Sequence, residues 1–183
     1  MPIRCPRRAP NAVLRGTPRL FLLACLLAAP AGSCAAQEKH VTKPDFETRI
    51  VLKNSAGAEA REFATGAPIT LVVTLRNQAA AARKLTLSTS QTHDCIVSDA
   101  GHKAVWRFSA GRMFAQVITD LTLEPGESRS FTLTWDQTDA KGKPVPPGDY
   151  EAVGLVPGGA PGCRSESSPF TIRPSASGKP AAR

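Results

Sequence analysis

From Ile50 onward the chain alternates apolar and polar residues at a period of two, and Gly, Pro or Asn soon interrupts each run. That pattern describes short strands with one face buried, and it leaves little room for any other element. Ile69, Leu71, Val73 and Leu75 fall on one face, with Thr70, Thr74 and Arg76 on the other. Leu85 and Leu87 alternate with Lys84, Thr86 and Ser88, and Trp106 and Phe108 alternate with Val105 and Arg107. The cleanest run sets Phe131, Leu133 and Trp135 against Ser130, Thr132 and Thr134. Tyr150, Ala152 and Gly154, then Phe170 and Ile172, complete the set, with Ile50-Val51-Leu52 at the front. Between the runs stand Asn54-Ser55-Ala56-Gly57, Asp99-Ala100-Gly101, Glu124-Pro125-Gly126 and Pro146-Pro147-Gly148. Each supplies a positive φ at Gly or a pre-set φ at Pro, which is turn chemistry. No 12-residue stretch carries a helical stripe, and Ala79 to Ala82 is too short to nucleate one. Roughly eight or nine short strands with such turns predict an all-β fold, an immunoglobulin-like antiparallel β-sandwich in a single domain.

The alternation starts late because the N-terminus has another task. An Arg-rich stretch leads into the apolar run at residues 20–29, followed by small residues. Ten apolar residues are too few to cross a bilayer, which takes about 20. A positive flank, a short apolar core and small residues make a secretory signal peptide, so residues 1–36 are expected to be removed on export to the periplasm or cell envelope. Ala31-Gly32-Ser33-Cys34 resembles a lipobox that would lipidate Cys34 and tether the protein to a membrane; ordinary cleavage after Ala36 would instead discard that cysteine. Residues 37–45 then form a linker, 46–173 the sandwich and 174–183 a disordered basic tail.

Removing the signal also changes the charge argument. The formal charge of +8 includes five arginines at positions 4, 7, 8, 15 and 19; without them, 18 basic residues face 15 acidic ones. Bulk attraction to nucleic acid is therefore not expected. Cys5 and Cys25 leave with the signal, and Cys95 and Cys163 remain. In an oxidising compartment these two are expected to form a disulfide, with Cys163 pinning the Gly- and Pro-rich loop at 157–169 to the sheet.

Few residues carry obvious chemistry. Ser109, His102 and Asp99 lie close in sequence, but Asp99 to His102 has the composition of a turn, and no nucleophile elbow is present. Asp136 and Asp139 fit solvated turn acids better than a catalytic pair. His93 and Cys95 would share one face of a strand and could approach a common ion, but His102 or His40 would have to complete the site. No catalytic, cofactor or metal site is expected. Gly101 to Phe114 holds the densest mixture of aromatic and basic groups, of the kind that protein interfaces enrich. Trp106 and Phe108 are expected in the core, leaving the loop residues Arg107, Arg112, Met113 and Phe114 as the candidate partner-binding surface, with 138–145 as a second loop.

Several blocks in order carry a resemblance. They are Gly66-Ala67-Pro68-Ile69-Thr70-Leu71 to Arg76-Asn77, Ser90-Gln91-Thr92-His93-Asp94, and Val105-Trp106-Arg107-Phe108-Ser109 with Met113-Phe114. Leu123-x-Pro125-Gly126-Glu127, Trp135-Asp136-x-x-Asp139-x-x-Gly142 and Val145-Pro146-Pro147-Gly148-Asp149-Tyr150 follow. Together, over Phe63 to Ile172, they resemble the BsuPI-type intracellular proteinase inhibitor domain. The resemblance implies the same β-sandwich, with Trp106, Trp135 and Tyr150 in the core motif and Gly126 and Gly148 at turns. It implies a non-enzymatic protein that binds a partner protein, an inhibitor of a subtilisin-like serine protease. A scaffold or adhesion lipoprotein of the cell envelope, and a metal or small-ligand carrier, are the alternatives. The sequence departs from the pattern in its export signal and in Cys95, where a larger core residue is usual.

Overall fold

The alternating runs become strands in a computed structural model, which describes residues 43–175. The signal segment, Cys34, most of the linker and the tail from residue 176 lie outside the described residues. Ten strands follow in order: β1 (Phe46–Lys53), β2 (Glu62–Ala64), β3 (Ile69–Asn77), β4 (Arg83–Leu87), β5 (Asp94–Asp99), β6 (Ala104–Arg107), β7 (Thr119–Leu123), β8 (Ser128–Trp135), β9 (Gly148–Leu155) and β10 (Ser168–Arg173). They pair as a three-stranded sheet β1-β3-β8, a five-stranded sheet β2-β10-β9-β5-β6 and a ribbon β4-β7. The all-β sandwich read from the sequence is borne out. The pairing is not wholly antiparallel, because β2 runs parallel to β10.

β3 lies between β1 and β8, and its apolar face (Ile69, Leu71, Val73, Leu75) is fully buried. In register, Val73 stands opposite Ile50 on one side and Phe131 on the other. Trp135, 0% exposed at the end of β8, is where the two larger sheets meet. Its ring lies 6.0, 6.3 and 6.2 Å from those of Trp106, Tyr150 and Phe170, which belong to β6, β9 and β10. Aromatic pairs of this kind each add about 0.5–1.5 kcal/mol beyond the area they bury. The indole N–H donates to the Thr138 carbonyl at 2.8 Å, and the Tyr150 hydroxyl donates to the Pro146 carbonyl at 2.7 Å. Neither buried polar group is left without a partner.

Four expectations need correction. Trp106 is half-buried on β6, the last strand of its sheet, and packs against the core rather than within it. Gly148 does not make a turn; it opens β9 opposite Ile172, whereas Gly126 sits in its turn at φ 78°. The domain begins slightly earlier than residue 46, since the Asp45 carbonyl accepts from the Gln78 amide and its carboxylate pairs with Arg83. Finally, Cys95 and Cys163 are separate buried thiols. Cys95 stands opposite Gly154 on the β5 side of β9, while the Cys163 carbonyl accepts from the Val156 amide on the β10 side. Two inter-strand spacings, roughly 9–10 Å, separate them laterally. A disulfide does not span that without backbone movement.

The 157–169 loop is fastened by other means. The Thr48 hydroxyl donates to the Gly162 carbonyl at 2.7 Å, and Gly162 passes so close to β1 that a Cβ there would sit 1.7 Å from the Phe46 carbonyl oxygen. Gly162 also has φ +85°, whereas nearby Gly159 has φ +67° with open space around it. Gly159→Ala is expected to cost about 1 kcal/mol from backbone strain alone, and Gly162→Ala about 3 kcal/mol or more. Urea unfolding of the two variants measures the difference. Burial raises both thiol pKa values, that of Cys95 to about 12. At neutral pH both should resist iodoacetamide in the native protein and react in urea without reductant. Peptide mapping that finds them alkylated only after reduction would establish the disulfide instead.

Candidate functional site

Residues 108–118 connect β6, in the five-stranded sheet, to β7, in the ribbon. The root of this loop is the carboxylate of Asp94, only 1% exposed at the start of β5. A buried charge is costly unless every lone pair is matched. Oδ2 accepts from Arg107 Nε at 2.7 Å and from the Ser109 hydroxyl at 2.8 Å. Oδ1 accepts from the Ser109 amide at 3.1 Å and from the Cys95 amide at 2.9 Å. The end of β6 and the start of the loop are thus fixed to β5. Two turns follow, with the Ala110 amide donating to the Arg107 carbonyl and the Arg112 amide to the Ser109 carbonyl.

A column of side chains rises beside these turns. The Arg112 guanidinium carbon lies 4.1 Å from the centre of the Phe108 ring. Phe108 stacks on His93 at 5.0 Å with 24° between planes, and His93 stacks on Phe131 at 4.8 Å and 18°. The imidazole is therefore clasped between one phenyl ring from the loop and one from β8, with a cation closing the top. Each ring contact contributes about 0.5–1.5 kcal/mol and the cation about 0.5–1 kcal/mol. Burial holds the His93 pKa below its usual value, with the charge of Asp94 opposing that shift and Arg112 adding to it.

Farther along, Ser90 clamps the loop through two bonds. Its amide donates to the Ala115 carbonyl at 2.9 Å, and its hydroxyl accepts from the Ala115 amide at 3.0 Å. With both ends held, the middle of the loop projects. Met113 is 100% exposed, Ile118 74% and Val117 55%, and these are the exposed large hydrophobic residues among the described residues. Phe114, between them, is half-buried. All three lie within six residues of one braced loop.

The structure separates most of the remaining candidates. Ser109 is bound to Asp94, His102 Nδ1 lies 2.9 Å from Glu151, and Asp99 caps its own turn through the Gly101 and Lys103 amides. Those three residues do not converge. His93 is committed to its ring stack and Cys95 to the core, and among the described residues no cluster of three His, Cys, Asp or Glu is set to hold a metal. The second loop, 138–145, closes on itself around Asp139, whose carboxylate accepts from the Lys141 and Lys143 amides, and it buries Val145. The Ala140 amide donates to the Val105 carbonyl, so this loop covers the outer edge of β6. A cleft of about 690 Å³ runs between β1 and residues 164–169, with no residue of the 108–118 loop in its lining. Sequence reasoning found Met113 but not the other projecting residues, Val117 and Ile118, nor the braces Ser90, His93, Asp94 and Phe131. The one available signal was an Asp next to a strand that buries its neighbours.

Residues 43–160 match the BsuPI family, described as intracellular proteinase inhibitor. Nothing matches among the curated proteins. Among solved structures, the chain is similar to the Pseudomonas fluorescens alkylpurine DNA glycosylase AlkC bound to DNA containing an abasic site analogue. That match has 19% identity and a TM-score of 0.45, over 71% of this chain and 31% of the glycosylase. A Listeria innocua β-glucosidase in complex with glucose matches at 13% identity and TM-score 0.38, over 70% of this chain and 16% of that one. The C-terminal domain of wzt matches at 9% identity and TM-score 0.43, over 74% and 76%. The chain spans under a third of the length of the first two, and likenesses at these scores carry no argument about function.

The His93 clasp makes a pH prediction. Its folded pKa lies below the unfolded value of 6.5, so the folded state binds fewer protons. The stability it contributes is complete above pH 6.5 and is lost as pH falls through the folded value. The Glu151 carboxylate raises the pKa of His102. An NMR titration should therefore place His93 below 6.5 and His102 above it, and His93→Phe should flatten the acid decline in stability. Two histidines titrating together near 6.5 would mean the clasp does not hold in solution.

Proposed function

This chain belongs to the BsuPI family of intracellular proteinase inhibitors, and from that premise we propose that it inhibits a protease by seating residues 108–118 in the enzyme's cleft. The target class we infer is a subtilisin-like serine protease. The observation that carries the proposal is the concentration of exposed apolar side chains on a loop braced from outside itself. Proteases bind peptides as extended strands, and a loop already fixed in space loses little conformational freedom on binding. The same fixation opposes the rearrangement that cleavage needs. A protein that binds like a substrate but relaxes poorly acts as an inhibitor. The complex would bury about 1,600 Å², the usual size for protease–inhibitor pairs.

The setting we propose is outside the cytoplasm. The positive flank and short apolar core within residues 1–36 support export, and the small-small-Cys motif at Ala31 to Cys34 supports a lipid tether. An exported inhibitor meets proteases of the envelope or of the surroundings.

Titrating a panel of serine proteases with the full chain tests this function. Residual activity should fall linearly to a plateau near one-to-one, with the chain uncut by gel. No inhibition across the panel, or rapid turnover of the chain by cleavage within 108–118, would overturn it.

A further inference from the structure

Resting on the inhibitor reading above, the geometry points to Met113 as the residue that enters the primary specificity pocket of the protease, and to that pocket being apolar. The neighbouring cation is the obvious rival, because an arginine on an exposed loop suits an enzyme whose pocket ends in a carboxylate. Arg112 is not free to play that part. Its guanidinium caps the Phe108 ring at 4.1 Å, at the top of the column through His93 to Phe131. Drawing it into a pocket would uncap the column that holds the loop in shape. Arg107, the other arginine nearby, is paired with Asp94 at the foot of the loop.

Arg112 turns to Phe108, Phe114 is half-buried, and Met113 between them is 100% exposed. Two residues later Ala115 is fixed through both its amide and its carbonyl to Ser90, so the crest at Met113 is held from either side. From Met113 to Ile118 the chain carries no charged residue, and Val117 and Ile118 extend the apolar surface beyond the crest. A thioether on an unbranched stem fits apolar pockets of varied shape. It would leave the carboxylate of an acidic pocket buried and unpaired, which is strongly disfavoured.

The test uses the full chain and three purified proteases: chymotrypsin and a subtilisin, whose primary pockets are apolar, and trypsin, whose pocket ends in a carboxylate. Wild type should inhibit the first two at least a hundredfold more tightly than trypsin. Met113→Asp should weaken inhibition of the apolar-pocket enzymes by about a hundredfold, the worth of one well-buried anchor side chain. Met113→Lys should shift the preference toward trypsin, while Arg112→Ala, which uncaps the column, should weaken inhibition of chymotrypsin and the subtilisin alike and leave their preference over trypsin in place. Because Met113 touches nothing, thermal melts of its variants should match wild type, so a loss of inhibition reports contact rather than misfolding. If wild type prefers trypsin and Arg112→Ala abolishes that inhibition, Arg112 is the anchor and the inference is wrong although the inhibitor function stands. Undiminished inhibition by Met113→Asp would likewise reject Met113 and move the contact elsewhere. Wild type that inhibits none of the three would remove the inhibitor reading for these enzymes, and the inference with it.

Discussion

Trp135 ties the larger two sheets together. It is the last residue of β8, yet its indole meets rings carried by β6, β9 and β10 of the opposite sheet. Removing it would leave a void at the one point where four strands converge, and core tryptophans lost to Ala cost about 3–5 kcal/mol. The contact to Trp106 has a second effect. β6 is only four residues long, at the edge of its sheet, with its outer side covered by Ala140. The strand is held to β5 by its pairing and by the Arg107–Asp94 bond, and Trp106 lying against Trp135 adds a tie to the opposite sheet.

On that base, buried polar side chains decide where the connections go. Asp94 fixes the foot of the 108–118 loop. Asn77, fully buried at the end of β3, donates to the Ala81 and Leu123 carbonyls and accepts from the Ala79 amide. Gln137, also buried and held at φ 61°, donates to the Ala64 and Ala67 carbonyls and accepts from the Gly66 amide. Each replaces water for a stretch of backbone that leaves a strand. The bonds add modest net energy, but leaving any of the groups unmatched would be costly. The loops therefore have one low-energy path.

Strict alternation made β3 and β8 legible, because the period alone says which face is buried. It could not say how far from the sheet edge a strand lies, and so Trp106 was placed too deep. β2 buries only one residue of its three, Phe63, and pairs in parallel with a strand over a hundred residues away; neither property leaves a local trace. β7 carries Leu121 and Leu123 in alternation, but it is short and runs directly into the Glu124-Pro125-Gly126 turn. Counting cysteines led to a bond between Cys95 and Cys163 that the strands do not allow, since register rather than number sets their separation. Composition marked Arg112, Met113 and Phe114. The braces stayed hidden because His93, Phe131 and Ser90 acquire their role only when distant strands dock.

The column through Arg112, Phe108, His93 and Phe131 has a consequence for the order of events in the life of the molecule. Its members come from β6–β7, from the approach to β5 and from β8, so it cannot exist before both sheets have closed on each other. Until then residues 108–118 are a slack peptide with an uncharged apolar stretch, the kind of chain that a protease digests. Afterwards the same residues are a rigid crest. On the proposed function, the chain changes from prey to antagonist at a single step, and a newly delivered copy is vulnerable to its own target until folding is finished.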